Sequence, residues 1–111
     1  VLMNSVNDEG LSVAEVVRMC CEKPAAIFGL KGKGQVEAGF DADLVVVDMN
    51  LEKEVTRGGL FTKCGWSPYE DMTFKGWPVM TFVGGELVFK DGKIVGKRGV
   101  GREVEVRKAT I

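Results

Sequence analysis

Few side chains in this sequence combine the type and the spacing that catalysis or metal binding needs. Histidine, the commonest general base and zinc ligand, is absent. The cysteines are Cys20, Cys21 and Cys64. An odd number with two adjacent fits neither a disulfide framework nor a CxxC zinc knuckle, and reads as buried, reduced thiols. Asp41, Asp43 and Asp48 do not run on into a calcium-loop pattern and read as turn and strand-end residues. Leu30-Lys31-Gly32-Lys33-Gly34 has the residue types of a phosphate loop without its G-x-x-x-x-G-K-[ST] spacing, and no strand precedes it. A tight turn of solvated lysines is the expectation there. Glu15 and Glu22 lie three and four residues from Arg18, a spacing that pairs them with it on a solvated helix face rather than with each other as acid and base.

The elements that carry these residues are readable from pattern. Val1 to Val6 reads as the end of a helix, stopped by Asn7-Asp8-Glu9-Gly10. Ser12 and Glu15 form an S-x-x-E capping box that opens a helix over 12–22, with Val13, Val16, Val17 and Cys20 as its apolar stripe. Lys23-Pro24 is expected to end that helix, and Pro24 to open a short one closed by Gly29. Asp43 to Asp48 reads as a strand whose Leu-Val-Val-Val run implies burial on both faces. Glu54 to Arg57 reads as a second short strand. Residues 58–77 read as an irregular loop whose rings anchor it over a core. Pro78–Val83 and Glu86–Lys90 flank Gly84-Gly85, a hairpin signal, and Asp91-Gly92 before Lys93-Ile94-Val95 extends it to a three-stranded meander. Residues 96–101 read as a flexible connector, and Arg102–Lys108 as a charge-guarded edge strand.

Length and composition narrow the classes. With 111 residues the chain holds one domain at most. Fifteen glycines, about twice the average share of 7%, fit many turns between short strands. Fifteen basic and sixteen acidic residues leave a net charge of -1, which speaks against a nucleic-acid binder. Residues 1–56 hold 10 acids and 5 bases, and residues 57–111 hold 6 acids and 10 bases. No apolar run approaches the ~18–20 residues of a membrane span, and no signal peptide is visible. A cytoplasmic protein without membrane attachment is the expectation. Apolar residues at 2, 3 and 6 read as the end of a helix begun before Val1, so an excised piece of a longer protein, or else a trimmed small domain, is the expectation.

Three segments carry a resemblance: Lys23-Pro24-Ala25-Ala26-Ile27-Phe28-Gly29-Leu30; Lys31-Gly32-Lys33-Gly34-Gln35-Val36; and Gly39-Phe40-Asp41-Ala42-Asp43-Leu44-Val45-Val46-Val47-Asp48. Together they resemble the C-terminal region of the amidohydrolase superfamily, in its cyclic amidohydrolase branch of dihydroorotases, hydantoinases (dihydropyrimidinases) and allantoinases. Lys23 stands where that family often has Asn. Lys63-Cys64-Gly65-Trp66-Ser67-Pro68-Tyr69-Glu70, Gly76 and the hairpin from Val79 to Lys90 look most like dihydroorotases of the multifunctional-complex type, with Gly84 in place of the usual polar turn residue.

The resemblance implies an α+β chain. Residues 1–30 would end a (β/α)₈ barrel, and residues 31–111 would form the C-terminal part of a small composite β-sandwich. It further implies a zinc-dependent parent enzyme that reversibly hydrolyses dihydroorotate to N-carbamoyl-aspartate in pyrimidine biosynthesis, with the zinc ligands upstream of Val1. No catalytic, substrate-binding or metal residue is therefore assigned here, and no zinc is expected on this chain alone. The implied partners are the upstream part of the same protein, further copies of this chain through self-association, and aspartate carbamoyltransferase for an inactive relative. A free-standing β-rich interaction module is the reading from another class.

Overall fold

The computed structural model describes residues 1–107. Lys108, the last residue of the expected edge strand and part of the basic excess, lies outside them.

The chain begins with helix α1 (Leu2–Glu9), which Gly10 ends in the left-handed region at φ 75°. The Ser12 hydroxyl accepts from the Glu15 N–H at 3.1 Å, and the Glu15 carboxylate accepts from the Ser12 N–H at 2.8 Å, so the expected capping box opens α2 (Val13–Val17). A π-helical turn (Arg18–Glu22) follows, then α3 (Lys23–Ile27). The expected break at Lys23-Pro24 does not occur. Glu22 and Lys23 stay in the right-handed helical region, and the Lys23 N–H reaches the Arg18 carbonyl five residues back. The wide turn carries the rod past Pro24, which sits in the first turn of α3, where a missing N–H costs nothing. Only Val16 of the expected stripe is buried; Val13, Val17 and all three cysteines are exposed, contrary to the buried-thiol reading.

Four antiparallel strands form one sheet in the order β1 (Leu44–Glu54), β2 (Thr73–Val83), β3 (Glu86–Lys90), β4 (Lys93–Ile94). Together with the helices this is the expected α+β class. Gly84 and Gly85 both take positive φ, 56° and 85°, which is what a two-residue hairpin turn demands. Strand β1 is longer than expected and absorbs Glu54. Val55 beyond it is buried and exchanges backbone hydrogen bonds with Met72 and Asp71 instead of starting a new strand. The irregular loop is correspondingly shorter, since Thr73 to Trp77 already belong to β2. Two-faced burial of the valine run is also overturned. β1 is the outer strand of its sheet, and Val45 is 56% exposed. Arg102–Arg107 form no strand; a single bridge joins Val106 to Leu30.

The loop rings anchor as expected at two points. Phe61 meets Phe89 edge-on at 6.2 Å between centroids, and Tyr69 meets Phe74 at 5.9 Å. Among the described residues only Val16, Ala25, Val55 and Phe74 are buried apolar side chains. The chain exposes 8647 Å², against about 6,000 Å² for a folded monomer of its mass. Its radius of gyration is 15.8 Å, where a compact domain of this length has about 13 Å. The fold forms its ladder and helices but leaves its apolar faces uncovered.

Candidate functional site

Among the described residues, two polar joints tie the helical part and its following loop to the sheet, and a cleft opens beside one of them. The first joint docks α1 on the sheet. Asn4 and Asn7 stand three residues apart and share a helix face. Between Asp48 and Glu52 the β1–β2 register is broken by a bulge, opposite Lys75 and Gly76. The Asn7 amide donates to the Met49 carbonyl at 3.0 Å and to the Lys75 carbonyl at 2.9 Å, and the Asn4 carbonyl oxygen accepts from the Lys75 N–H at 2.8 Å. Helix side chains thus bond backbone groups in the break, at Met49, and at its edge, at Lys75. Gly76 makes this approach possible: it sits at φ 103°, and a Cβ there would lie 2.8 Å from the Cβ of Met3.

The second joint is ionic. Lys33 pairs with Asp41 at 3.0 Å and, more closely, with Asp43. Asp43 also accepts from the Gly84 N–H at 2.8 Å, and the Gly85 N–H donates to the Ala42 carbonyl at 3.0 Å. The loop after α3 is thereby tied to the tip of the β2–β3 hairpin. Lys33 is not the solvated turn lysine expected from sequence. The Asp43 and then Asp41 carboxylates hold its ammonium above the usual lysine range. In return, Lys33 and then the Gly84 N–H hold the Asp43 carboxyl below its ordinary value.

Beside this joint lies an open cleft of about 610 Å³, lined by Lys31, Lys33, Asp43, Gly84, Arg102 and Glu103 among others. Its charges alternate in sign and are largely paired within the chain, which suits tying elements together more than gripping a ligand. Cys64 is exposed. Hydrogen bonding with the Trp66 backbone first, and with the Thr62 hydroxyl next, lowers its thiol below the ordinary value. With no imidazole in the chain it lacks the usual base of a cysteine nucleophile.

The donor set does not fit a zinc centre. The chain has no histidine, and among the described residues no group of three or more Cys, Asp or Glu converges on one point. Asp41 and Asp43 come together around an ammonium group, and Asp48, inside β1 rather than at a strand end as expected, accepts from the Asn50 N–H at the bulge. Sequence reasoning had missed Asn4 and Asn7. Their spacing is visible, but the backbone N–H and carbonyl groups they meet leave no mark in sequence. No helix among the described residues is long and apolar enough to cross a membrane.

Residues 1–88 match the family model described as the amidohydrolase family. The chain is 41% identical over 96 residues to a dihydroorotase of Pyrococcus horikoshii, covering 86% of this chain and 23% of that protein. It is 35% identical over 94 residues to an allantoinase of Desulfitobacterium hafniense, covering 85% of this chain and 21% of that one. Among solved structures, L-hydantoinase from Arthrobacter aurescens superposes with a TM-score of 0.85 at 35% identity, over 91% of this chain and 23% of that one. The chain thus spans less than a quarter of the length of these relatives.

Proposed function

The chain belongs to the amidohydrolase family, and from that premise we propose that it is the C-terminal, non-catalytic part of a cyclic amidohydrolase acting on dihydroorotate in the cytoplasm. Residues 1–30 close the barrel of the whole protein, and residues 31–111 complete its small β-sandwich. The whole enzyme opens the dihydroorotate ring to N-carbamoyl-aspartate and closes it again. Its zinc ligands lie in the rest of the polypeptide, and the present residues serve as scaffold. The observation that carries this reading is the 41% identity to a dihydroorotase across most of the chain. The L-hydantoinase likeness keeps a hydantoin ring as the second reading of the substrate.

The surplus of exposed surface supports the scaffold role. About 2,600 Å² beyond the ordinary surface of such a mass is more than a standard protein interface buries in total. In the whole protein the upstream part covers it; in the isolated chain, further copies do. The functional test is an assay of the full-length protein on dihydroorotate, hydantoin and allantoin, alongside the isolated 111 residues. Ring opening of dihydroorotate by the former and none by the latter is expected. Turnover by purified isolated chain overturns the scaffold reading, and opening of hydantoin alone replaces the substrate. For association, light scattering of the isolated chain should give a mass above 12.1 kDa; a strict monomer at high concentration refutes it.

A further inference from the structure

We propose that residues 97–107 are a detachable strap whose release opens the cleft over Lys33, Asp41 and Asp43 while the sheet stays folded. Its near anchor belongs to the β-meander: the Val95 and Gly96 N–H groups both donate to the Val88 carbonyl, at 2.9 and 3.1 Å. The far anchor is slight. The Arg107 N–H donates to the Gly29 carbonyl at 2.8 Å, and the Lys31 N–H donates to the Glu105 carbonyl at 3.0 Å. Lys31 and Glu105 also pair at 3.7 Å, with both side chains largely in solvent. Between the anchors, residues 97–104 make a local turn at Arg98-Gly99 and form no hydrogen bond with any other element of the described chain. Residues 101–107 are all exposed, yet residues 100–105 wall one side of the cleft.

The physics of such a far anchor favours local opening. Backbone bonds that water can replace, and an ion pair at that exposure, contribute little net stability. Little apolar burial backs them among the described residues: Val104 and Val106 are both exposed, and Val100 is only half-buried. A segment with those properties opens far below the free energy that unfolds the sheet. The ladder of β2 and β3 has no part in the opening, because among the described residues the strap's backbone hydrogen bonds reach it at Val88 alone. This proposal rests on the geometry of the chain and is independent of its substrate.

Amide hydrogen exchange on the intact chain tests it directly. The Lys31 and Arg107 amides should exchange about tenfold or more faster than the amides of the β2–β3 ladder. Exchange of all of them together overturns the strap. A second measurement uses a cross-link. Leu30 and Val106 face each other as a non-hydrogen-bonded antiparallel pair, where Cα atoms approach to about 4.5 Å, within disulfide reach. Leu30→Cys with Val106→Cys, with Cys20, Cys21 and Cys64 changed to Ser, loses two electrons to oxidised glutathione as the bond forms. The oxidised form should show Lys31 and Arg107 exchange slowed to the ladder rate, and Lys33 acetylation by acetic anhydride reduced about fivefold against the reduced form. Unchanged Lys33 acetylation, or thiols that fail to pair, overturns the proposal.

Discussion

The joint at α1 and the joint at Lys33 do the same job with opposite physics. At α1, neutral amides bond to backbone groups of β1 and β2, and a glycine lets the helix come into contact. At Lys33, a charged side chain sits between two carboxylates and reaches the hairpin tip through Asp43. The first depends on shape and should ignore pH and salt. The second depends on charge and should respond to both. The contrast shows two ways of fixing one element on another where few apolar side chains are buried among the described residues: fit and neutral amides at α1, charge at Lys33.

Changes at the two joints can break or sharpen that contrast. The largest effect is expected at Gly76→Val, because a β-branched side chain at φ 103° would also collide with Met3. A loss of about 3 kcal/mol is expected, a fall of more than about 10 °C in thermal midpoint. A midpoint close to that of the unmodified chain would mean α1 is not docked as described. Next comes Asn7→Ala, which removes two hydrogen bonds to backbone carbonyls. About 1–2 kcal/mol in urea unfolding is expected, the same in acid as at neutral pH.

Asp43→Asn should cost less, about 1 kcal/mol, since both partners of the ionic joint are part-exposed and screened. Its cost should depend on pH. The Asp43 carboxyl titrates lower in the folded chain than in the unfolded one. Its contribution is therefore complete above the unfolded value of about 3.9 and is lost as pH falls through the folded value. Lys33 is the mirror case: its pKa is raised, so its contribution is complete below about 10.4 and is lost as pH rises through the folded value. Urea titrations across pH should show the Asp43→Asn difference close in strong acid while the Asn7→Ala difference persists. The smallest effect is that of salt. Raising ionic strength to about 1 M should shrink the Asp43→Asn difference and leave the Asn7→Ala difference alone. Equal salt responses would erase the distinction between the joints.

Much of the local structure was legible before folding. The capping box at Ser12 and Glu15, the left-handed stop at Gly10, and the Gly84-Gly85 and Asp91-Gly92 turns all depend on residues adjacent in the chain. Such signals work because the interacting groups are held within a few bonds of each other. The misreadings have a common origin. Lys23-Pro24 reads as a helix end because the π-helical turn that accommodates Pro24 has no sequence mark. The run Leu44 to Val47 reads as doubly buried because apolar residues report a preference for burial, whether or not anything is there to bury them.

What the sequence settled by itself was the helices-then-strands order, the hairpin and its meander, the want of an imidazole, and the motifs that tie the chain to its family. Each of these is written in neighbouring residues or in a count. Tertiary structure alone decided that Lys33 is a tie between loop and hairpin, that Asn4 and Asn7 pair with an interrupted ladder, and that most apolar faces stand open. Those outcomes turn on groups up to 71 residues apart. Their distance is set by how the sheet bulges and where the helix lies upon it, and side-chain preference carries no information about that.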